Sequence, residues 1–314
     1  MSTTVRIIVA GDDVELDEVE VPYVLIKNLG YGGFGFVEEV RDVISNRIFA
    51  KKKMRLDSGS LEEVKRMFKQ EVEVVRVLQS HPHVINVHAT YICGRELNIV
   101  LEPVADRGDL AKVLSKFRDG KEDDREATRV ILHRAYGCLA KCLEFIHGDK
   151  HIDSTAKEMI RHKDIKPKNI LVHEGYVLLT DFGISKRCID GITTTSDNGP
   201  KSPIYSAPEV NEDTRNRKED VFSLGCVFLE IFLALKLQGP PGSCENPYSA
   251  QAESIQRYLK MYSSSGIAGI IHDMLYVDPK RRLSASGVVA RLSAADKDIE
   301  CKKCTGEAKL EQVT

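Results

Sequence analysis

Two carboxylates, an ammonium group and an amide occur within one short stretch of this chain. The sequence RHKDIKPKNILVHEGYVLLTDFG, residues 161–183, contains Asp164, Lys166 and Asn169, followed by Asp181 after an apolar passage. Carboxylate and amide oxygens such as those of Asn169 and Asp181 are suitable ligands for Mg²⁺, which usually also binds phosphate oxygens. Asp164 is placed to accept a hydroxyl proton, and Lys166 can neutralise charge on a phosphoryl group. These residue types indicate phosphoryl transfer.

For these residues to meet, the chain between Asn169 and Asp181 must turn back on itself. The segment ILVHEGYVLLT, residues 170–180, predicts a β-hairpin that turns at Glu174 and Gly175. We expect the hairpin to return Asp181 to the end at which Asn169 lies.

Glycines dominate a second stretch, GYGGFG, residues 30–35, which follows a predicted strand. Gly30, Gly32 and Gly35 match the pattern GxGxxG, in which the missing side chains let backbone N–H groups approach phosphate oxygens. Taken alone, the pattern fits three structures. They are a phosphate-binding loop, a dinucleotide-binding βαβ unit with Asp57 as the ribose-binding acid, and a glycine-rich hairpin turn.

A strong helix pattern covers SLEEVKRMFKQEVEVVRVL, residues 60–78, where Ser60 and Glu63 form a capping box. Apolar residues recur on one face at intervals of three or four: Leu61, Val64, Phe68, Val75 and Leu78. Glu71 lies on the same face. Because a buried carboxylate is costly without a cationic partner, Glu71 predicts a lysine or arginine close to it inside the molecule.

Lys52, the last residue of FAKK, is the candidate partner of Glu71 and could also contact phosphates near the glycines. The alternative is that Lys51, Lys52, Lys53 and Arg55 form a solvated basic cluster or an import signal. The buried acid on the helix favours the first interpretation for Lys52 alone.

Composition excludes several broad classes of protein. The chain has 314 residues, with 42% hydrophobic and 29% charged, enough to bury a large core. Its 45 lysines and arginines nearly balance 47 aspartates and glutamates, so no overall charge favours nucleic acid or an anionic membrane. The N-terminal sequence has no apolar run long enough for a signal peptide, and we expect a cytosolic or nuclear protein.

Two further patterns have structural interpretations. The apolar stretch at residues 221–237 is shorter than the roughly 20 residues of a membrane span and contains Glu230, so it predicts a buried helix. The 8 cysteines are scattered and predict free thiols. Cys301 and Cys304 form a single CxxC pair, which without a second pair is at most half of a zinc site.

The order of predicted elements gives an α+β fold. Five strands are predicted around the helix of residues 60–78, namely YVLIKNL, FGFVEEVRD, RIFAKKKM, NVHATYI and LNIVLEP. The second half of the chain is predicted to be mainly helical.

The sequence resembles eukaryotic protein kinases in a set of motifs that occur in the order of that family: GYGGFGFV, FAKK, HKDIKPKN, DFG, APE and DVFSLG. The joint match rejects the dinucleotide-binding alternative. It implies a two-lobed kinase fold over residues 23–292, with a small β-rich N-lobe (about 23–103) containing the αC helix and a larger, mainly helical C-lobe (about 104–292). An extension, residues 1–22, would precede this domain, and a disordered tail, residues 293–314, would follow it.

By this resemblance, Asp164 is the catalytic base, Lys166 contacts the phosphate, and Lys52 pairs with Glu71 on αC. The metal ligands are Asn169 and Asp181. The implied ATP-binding residues are Gly30, Gly32, Gly33, Gly35, Val37, Ala50, Lys52, Leu101, Glu102, Val104 and Asp109. Of these, Leu101 is the gatekeeper. The Glu102 carbonyl accepts a hydrogen bond from adenine, and the Val104 N–H donates one to it. Asp109 either binds the ribose or a basic substrate residue, or caps the following helix.

The resemblance implies transfer of the γ-phosphoryl group of ATP, with Mg²⁺ or Mn²⁺, to hydroxyls of protein substrates. Lys166 and Ser202 are similar to residues of serine/threonine kinases. A pseudokinase that acts as an ATP-binding scaffold or signalling partner is the alternative, although no catalytic residue is missing. A regulatory partner fits either function, and no nucleic acid or membrane segment is expected.

Two features depart from the family pattern, and one ion pair is expected from it. Lys163 replaces the usual arginine beside the catalytic aspartate, and about nine extra residues lie within residues 148–160. Arg282 is expected to pair with Glu209 of the APE motif.

Overall fold

The computed structural model describes residues 5–32, 35–55, 61–121, 124–148, 160–182, 203–211, 217–238, 246–262 and 266–305. These residues form two compact units. The N-terminal unit takes its described residues from Met1–Ser80 and Ile85–Val104. The C-terminal unit takes its described residues from His81–Val84, Ala105–Phe182 and Lys201–Thr314.

A six-stranded sheet forms most of the N-terminal unit. Its strands are β1 (Asp13–Leu16), β2 (Tyr23–Gly32), β3 (Gly35–Asp42), β4 (Ile48–Arg55), β5 (Asn86–Cys93) and β6 (Glu96–Glu102). The order is β1-β5-β6-β4-β3-β2, in which β1 is parallel to β5 and every other pair is antiparallel. The five predicted strands are confirmed, and the β2–β3 hairpin excludes a βαβ unit at the glycines.

The first strand was not predicted from the sequence, which indicated only an extension before residue 23. Strand β1 pairs Asp13 with Thr90 and Leu16 with Cys93. A core on one face of the sheet includes Ile8 and Leu16 from this region beside residues of the five other strands: Tyr23, Val40, Phe49, Ala89, Tyr91 and Val100. Part of the extension is therefore built into the unit.

Helix α1 (Leu61–Leu78) agrees with the predicted helix. The described residues of its apolar face are almost fully buried: Phe68, Val72, Val75 and Leu78. Ser60 and the side chains of Glu63 and Glu71 lie outside the described part of the structure, so the capping box and the Lys52–Glu71 pair stay predictions.

The C-terminal unit is mainly helical. Its elements are α2 (Leu110–Arg118), α3 (Arg125–His147), β7 (Ile170–His173), β8 (Tyr176–Leu179), α4 (Lys218–Leu235), α5 (Ala252–Leu259), α6 (Ile267–Met274), α7 (Ala285–Ala295) and α8 (Lys302–Thr305). Helix α4 is buried along nearly its whole length, which confirms the buried helix predicted at residues 221–237. Among the described residues, no helix has the length and apolar character that a membrane crossing requires.

The prediction of a disordered tail was wrong for residues 293–305. Helix α7 continues to Ala295, and Ile299 and Cys301 are only 1% and 2% exposed. The backbone there lies against α3 so closely that a Cβ added to Gly137 would be 2.5 Å from the Ile299 carbonyl oxygen. Apolar packing onto α3 therefore orders residues 293–305, while residues 306–314 lie outside the described range.

Candidate active site

A two-residue turn brings the ends of the β7–β8 hairpin together. Glu174 and Gly175 both have positive φ angles, 47° and 80°, as the tight turns of two-residue hairpins require. At the open end, the Thr180 N–H donates to the Asn169 carbonyl over 3.0 Å. The predicted hairpin is confirmed, and it places Asp181 one residue beyond this hydrogen bond.

Asp164 receives hydrogen bonds from two side chains that follow it in the chain. The amide nitrogen of Asn169 donates to the Asp164 carbonyl over 2.8 Å and to its Oδ2 over 2.9 Å. The Lys166 ammonium lies 2.8 Å from the same Oδ2 atom. A single 3₁₀ turn, Pro167–Asn169, makes this possible by returning Asn169 beneath Asp164. The structure therefore brings together three of the predicted site residues.

The hydrogen bonds of Asn169 also determine which of its atoms could bind a cation. Both hydrogens of its amide nitrogen are directed at Asp164. Its carbonyl oxygen is consequently the atom that can act as a ligand, which suits a hard cation such as Mg²⁺. The donor set of Asn169 and Asp181 fits that ion.

A buried carboxylate on α4 holds the backbone that precedes Asp164. The N–H groups of His162 and Lys163 donate to the two oxygens of Asp220, each over 2.9 Å, and His147 Nε2 lies 3.0 Å from Oδ2. Burial by itself would raise the pKa of Asp220, but the hydrogen bond with His147 and the charge around it hold that pKa below its ordinary value. Lys163, with φ of 68°, adopts the left-handed conformation that this arrangement imposes.

His162 begins the catalytic loop, residues 162–169, and connects it to the chain that follows β8 and precedes Asp181. Its Nε2 lies 3.0 Å from the Thr180 carbonyl oxygen, and its Nδ1 accepts from the Asp164 N–H over 3.3 Å. These partners assign a neutral ring that carries its proton on Nε2. Burial lowers the pKa of His162 and favours that neutral form. Its ring centroid also lies 4.7 Å from that of Phe182, which is buried.

Asp181 itself has a φ of 68°, a backbone conformation that residues other than glycine rarely adopt. Such strain often accompanies functional sites. Gly183 and the rest of the segment to Ser202 lie outside the described residues.

Sequence reasoning missed Asp220 and His147 as site residues. Asp220 opens the DVFSLG motif and could have been identified from it, because an aspartate in the first turn of an otherwise apolar helix needs hydrogen-bond donors. His147, at the end of α3, had no local signal in the sequence.

The predicted pair of Glu209 and Arg282 is confirmed. Two parallel hydrogen bonds of 2.5 and 3.1 Å join the guanidinium group to the carboxylate, and both side chains are buried. Arg282 also donates to the carbonyls of Tyr276 and Lys218. Because backbone carbonyls accept from the remaining N–H groups of Arg282, this ion pair can be accommodated in the interior.

Comparison with known proteins agrees with this geometry. The sequence profile of the protein kinase domain matches residues 23–292. The chain belongs to the protein kinase family. Members of this family generally use ATP and Mg²⁺ and act on protein substrates.

Individual relatives of this protein kinase are similar over most of its length. It is 30% identical to serine/threonine-protein kinase cds1 of Schizosaccharomyces pombe over 84% of this chain and 56% of that protein. It is 29% identical to serine/threonine-protein kinase Nek3 of Mus musculus, over 89% and 51% of the two chains. A developmentally-regulated protein kinase of Dictyostelium discoideum is 28% identical, over 82% and 33%. The chain thus spans about a third to three fifths of the length of such relatives.

The N-terminal unit of this protein kinase carries most of the predicted nucleotide-binding residues. Gly30 pairs with Val37 and Gly32 with Gly35 across the β2–β3 hairpin, whereas Gly33 lies outside the described residues. On β4, Lys52 pairs in register with Val37 and with Ile99.

The lysines of β4 alternate between the two faces of the sheet. Lys51 lies 2.9 Å from Glu38 Oε2, and Lys53 lies 3.9 Å from Glu38 Oε1. Because successive side chains of a strand point to opposite faces, Lys52 lies with Ala50 on the face away from these pairs. The basic run is therefore not one uniform solvated cluster, while the contacts of Lys52 with Glu71 and with phosphate stay predictions.

The predicted hinge residues lie at the end of β6 and just after it. Leu101 and Glu102 are the last residues of β6, and Val104 follows in the same unit. Asp109, in the C-terminal unit, is the N-cap of α2 and accepts from the Lys112 N–H over 2.9 Å. The capping interpretation of Asp109 is therefore correct, while its contact with ribose or substrate stays a prediction.

Proposed function

We propose that this protein is a serine/threonine protein kinase that transfers the γ-phosphoryl group of ATP to hydroxyl groups of protein substrates. The observation that carries the proposal is the convergence of Lys166 and Asn169 on one carboxylate oxygen of Asp164. A carboxylate held in this way can accept a hydroxyl proton while an ammonium group lies beside the transferred phosphoryl group.

Each residue has a defined part in this chemistry. Asp164 would accept the proton of the attacking hydroxyl, and Lys166 would stabilise negative charge that develops on the phosphoryl oxygens. Asn169 would orient Asp164 through its amide hydrogens and offer its oxygen, together with Asp181, to Mg²⁺ or Mn²⁺. When bound, the cation supplies neutralisation of the phosphate charge. Lys52, paired with Glu71, would contact the phosphates from the N-terminal unit.

Specificity for serine and threonine is supported by Lys166, by Ser202 and by relatives whose names describe serine/threonine kinases. Phosphoamino-acid analysis of autophosphorylated protein should yield phosphoserine or phosphothreonine. Mostly phosphotyrosine would contradict this specificity. We also propose a cytosolic or nuclear location and a regulatory partner.

The test of the main proposal is a phosphotransfer assay with Mg-ATP and a generic basic protein substrate. We expect Asp164→Asn and Lys52→Met each to reduce turnover by about a hundredfold or more relative to the wild-type protein. The first variant removes the proton acceptor, and the second removes a phosphate contact. Asp119→Asn is the matched control, because the half-exposed side chain of Asp119 lies near Lys121 just after the end of α2.

Folding of each variant should be compared by thermal denaturation before rates are interpreted. A wild-type rate no higher than that of folded Asp164→Asn would reject catalysis and support the pseudokinase alternative.

A further inference from the structure

Four side chains that commonly bind metals meet in the C-terminal unit. They are His83, Cys138, Cys301 and Cys304, and one ligand atom from each lies within 4.8 Å of all the others. His83 belongs to the segment before β5, Cys138 to α3, and the two remaining cysteines to the chain around α8. We call this group the His–Cys cluster. It lies outside the set of residues assigned to phosphoryl transfer.

The separations within the His–Cys cluster match those of a tetrahedral site. His83 Nε2 lies 3.1 Å from Cys304 Sγ and 3.3 Å from Cys301 Sγ, and Cys304 Sγ lies 3.9 Å from Cys138 Sγ. Zinc bonds of about 2.3 Å to sulfur and about 2.0 Å to nitrogen give ligand separations of roughly 3.5–3.8 Å at tetrahedral angles. Small adjustments of the side chains would therefore place all four ligands around one ion.

The same distances do not fit a disulfide between Cys138 and Cys304. Their sulfur atoms are 3.9 Å apart, whereas a disulfide needs about 2.05 Å. All three cysteines of the cluster are free thiols in this structure. The arrangement is thus one of converging but unbonded sulfur ligands.

His83 is oriented in the way that metal-binding histidines usually are. Its Nδ1 lies 2.6 Å from the carbonyl oxygen of Val177 on β8, so the ring proton is on Nδ1 and donates to that oxygen. The lone pair of Nε2 then faces the sulfur atoms. A backbone carbonyl that fixes the tautomer and the angle of the ring is a frequent outer partner of zinc-binding histidines.

The backbone of His83 is also held firmly. Its carbonyl oxygen accepts from the Leu179 N–H over 2.8 Å and from the Cys142 thiol over 3.5 Å. The histidine therefore has a fixed position between β8 and α3 before any ion is bound.

Local structure around the CxxC pair brings both of its sulfur atoms to one side. The N–H of Cys304 donates to the Cys301 carbonyl over 2.9 Å, which closes the turn between them. His83, Cys138 and Cys301 are almost fully buried, and Cys304 is partly buried. A buried set of four protein ligands has the closed form of a structural site, without an open position for substrate.

We propose that His83, Cys138, Cys301 and Cys304 bind one Zn²⁺ ion in a closed structural site. The ion joins the chain around α8 to α3 and to the segment before β5. The sequence indicated only half of this site, because the other two ligands are far from the CxxC pair in the chain. Binding releases the thiol protons to solvent, and no oxidation or reduction is involved.

Metal content of the full chain tests the proposal. The protein is purified with a reductant and without chelator, and its zinc content is measured by elemental mass spectrometry. We expect about one zinc per chain in the wild-type protein and a fall of at least tenfold in the Cys301→Ser, Cys304→Ser double variant. Cys93→Ser, at a free cysteine outside the cluster, is the matched control and should retain the ion.

A second measurement does not depend on folding of the variants. Zinc in the wild-type protein is replaced by Co²⁺, and the visible spectrum is recorded. Sulfur-to-cobalt charge transfer and intense bands of tetrahedral Co²⁺ are the expected result. Wild-type protein that holds no zinc and gives no such spectrum after full reduction would overturn the proposal, as would a Cys301–Cys304 disulfide in freshly purified protein. Both readouts are independent of phosphotransfer.

Discussion

The catalytic loop and the His–Cys cluster are held in different ways. In the loop, residues 162–169 form hydrogen bonds with one another, with Asp220 and with Thr180, and these bonds define its geometry. In the cluster, three thiols and one imidazole point at a common centre and have few other partners there. The catalytic loop is therefore organised before its ligands bind, whereas the His–Cys cluster gains its full stability from the zinc ion at its centre.

The largest effect is expected from disturbing the hydrogen bonds within the loop. Asn169→Asp keeps an oxygen ligand for a cation but removes both amide donors and places a second carboxylate beside Asp164. We expect phosphotransfer to fall by about two to three orders of magnitude, because the base loses its orientation and gains a repulsive neighbour.

Initial rates at saturating Mg-ATP measure this effect, and thermal denaturation checks the fold. Activity within about threefold of the wild type would show that the amide hydrogens of Asn169 are dispensable and that the loop is not organised as described.

A smaller loss should follow removal of the charge that holds the loop backbone. Asp220→Asn replaces a buried acceptor of three hydrogen bonds and should lower the free energy of unfolding by about 2–3 kcal/mol. Urea denaturation at pH 7 measures the loss. Asp119→Asn serves again as the exposed control.

The same variant should change how stability depends on pH. Since the pKa of Asp220 in the folded protein lies below its ordinary value of 3.8, its stabilising effect is fully present above that value. It is lost as the pH falls through the lower pKa of the folded state. The difference in stability between wild type and Asp220→Asn should therefore narrow below about pH 4; a difference that widens on acidification would contradict the assignment.

An intermediate effect is expected where the C-terminal chain lies against α3. In Gly137→Ala the new methyl group would meet the Ile299 carbonyl oxygen at 2.5 Å, so the segment that carries Cys301 must move. We expect a net loss of about 1 kcal/mol, because crowding outweighs the better helix propensity of alanine. Zinc should also be released more readily to a chelator.

Gly287→Ala in α7 is the matched control, since its added methyl group would come no closer than 3.2 Å to Ser284 Oγ. Equal zinc retention in the two variants would mean that the position of this segment does not matter for the cluster.

The smallest effect is expected at the attachment of β1. Asp13 pairs with Arg76 of α1 over 2.7 Å, at a site that is partly exposed. Asp13→Asn should therefore cost less than about 1 kcal/mol, and added salt should reduce that cost further. Denaturation at low and high salt measures both. A loss of more than about 2 kcal/mol in the free energy of unfolding would show that this partly exposed ion pair stabilises the protein as much as a buried group does.

The sequence predicted the catalytic loop well because its chemistry is contiguous. Asp164, Lys166 and Asn169 are separated by a few residues, and the Glu174–Gly175 turn is recognisable locally. Strand β1 was missed because four residues, two of them acidic and only one buried, give little periodicity. Only the CxxC half of the His–Cys cluster was indicated by the sequence, since His83 lies 218 positions before Cys301 and only the tertiary fold brings them together.

The packing at both ends of the chain has a practical consequence for any attempt to produce a minimal domain. A fragment cut at residues 23 and 292, where the family profile begins and ends, would lose β1 and leave β5 as an unpaired edge strand. Edge strands with free N–H and carbonyl groups promote association between copies. The fragment would also lose Ile299 from the surface of α3. We therefore expect it to aggregate, and a soluble fragment should extend from residue 5 to residue 305.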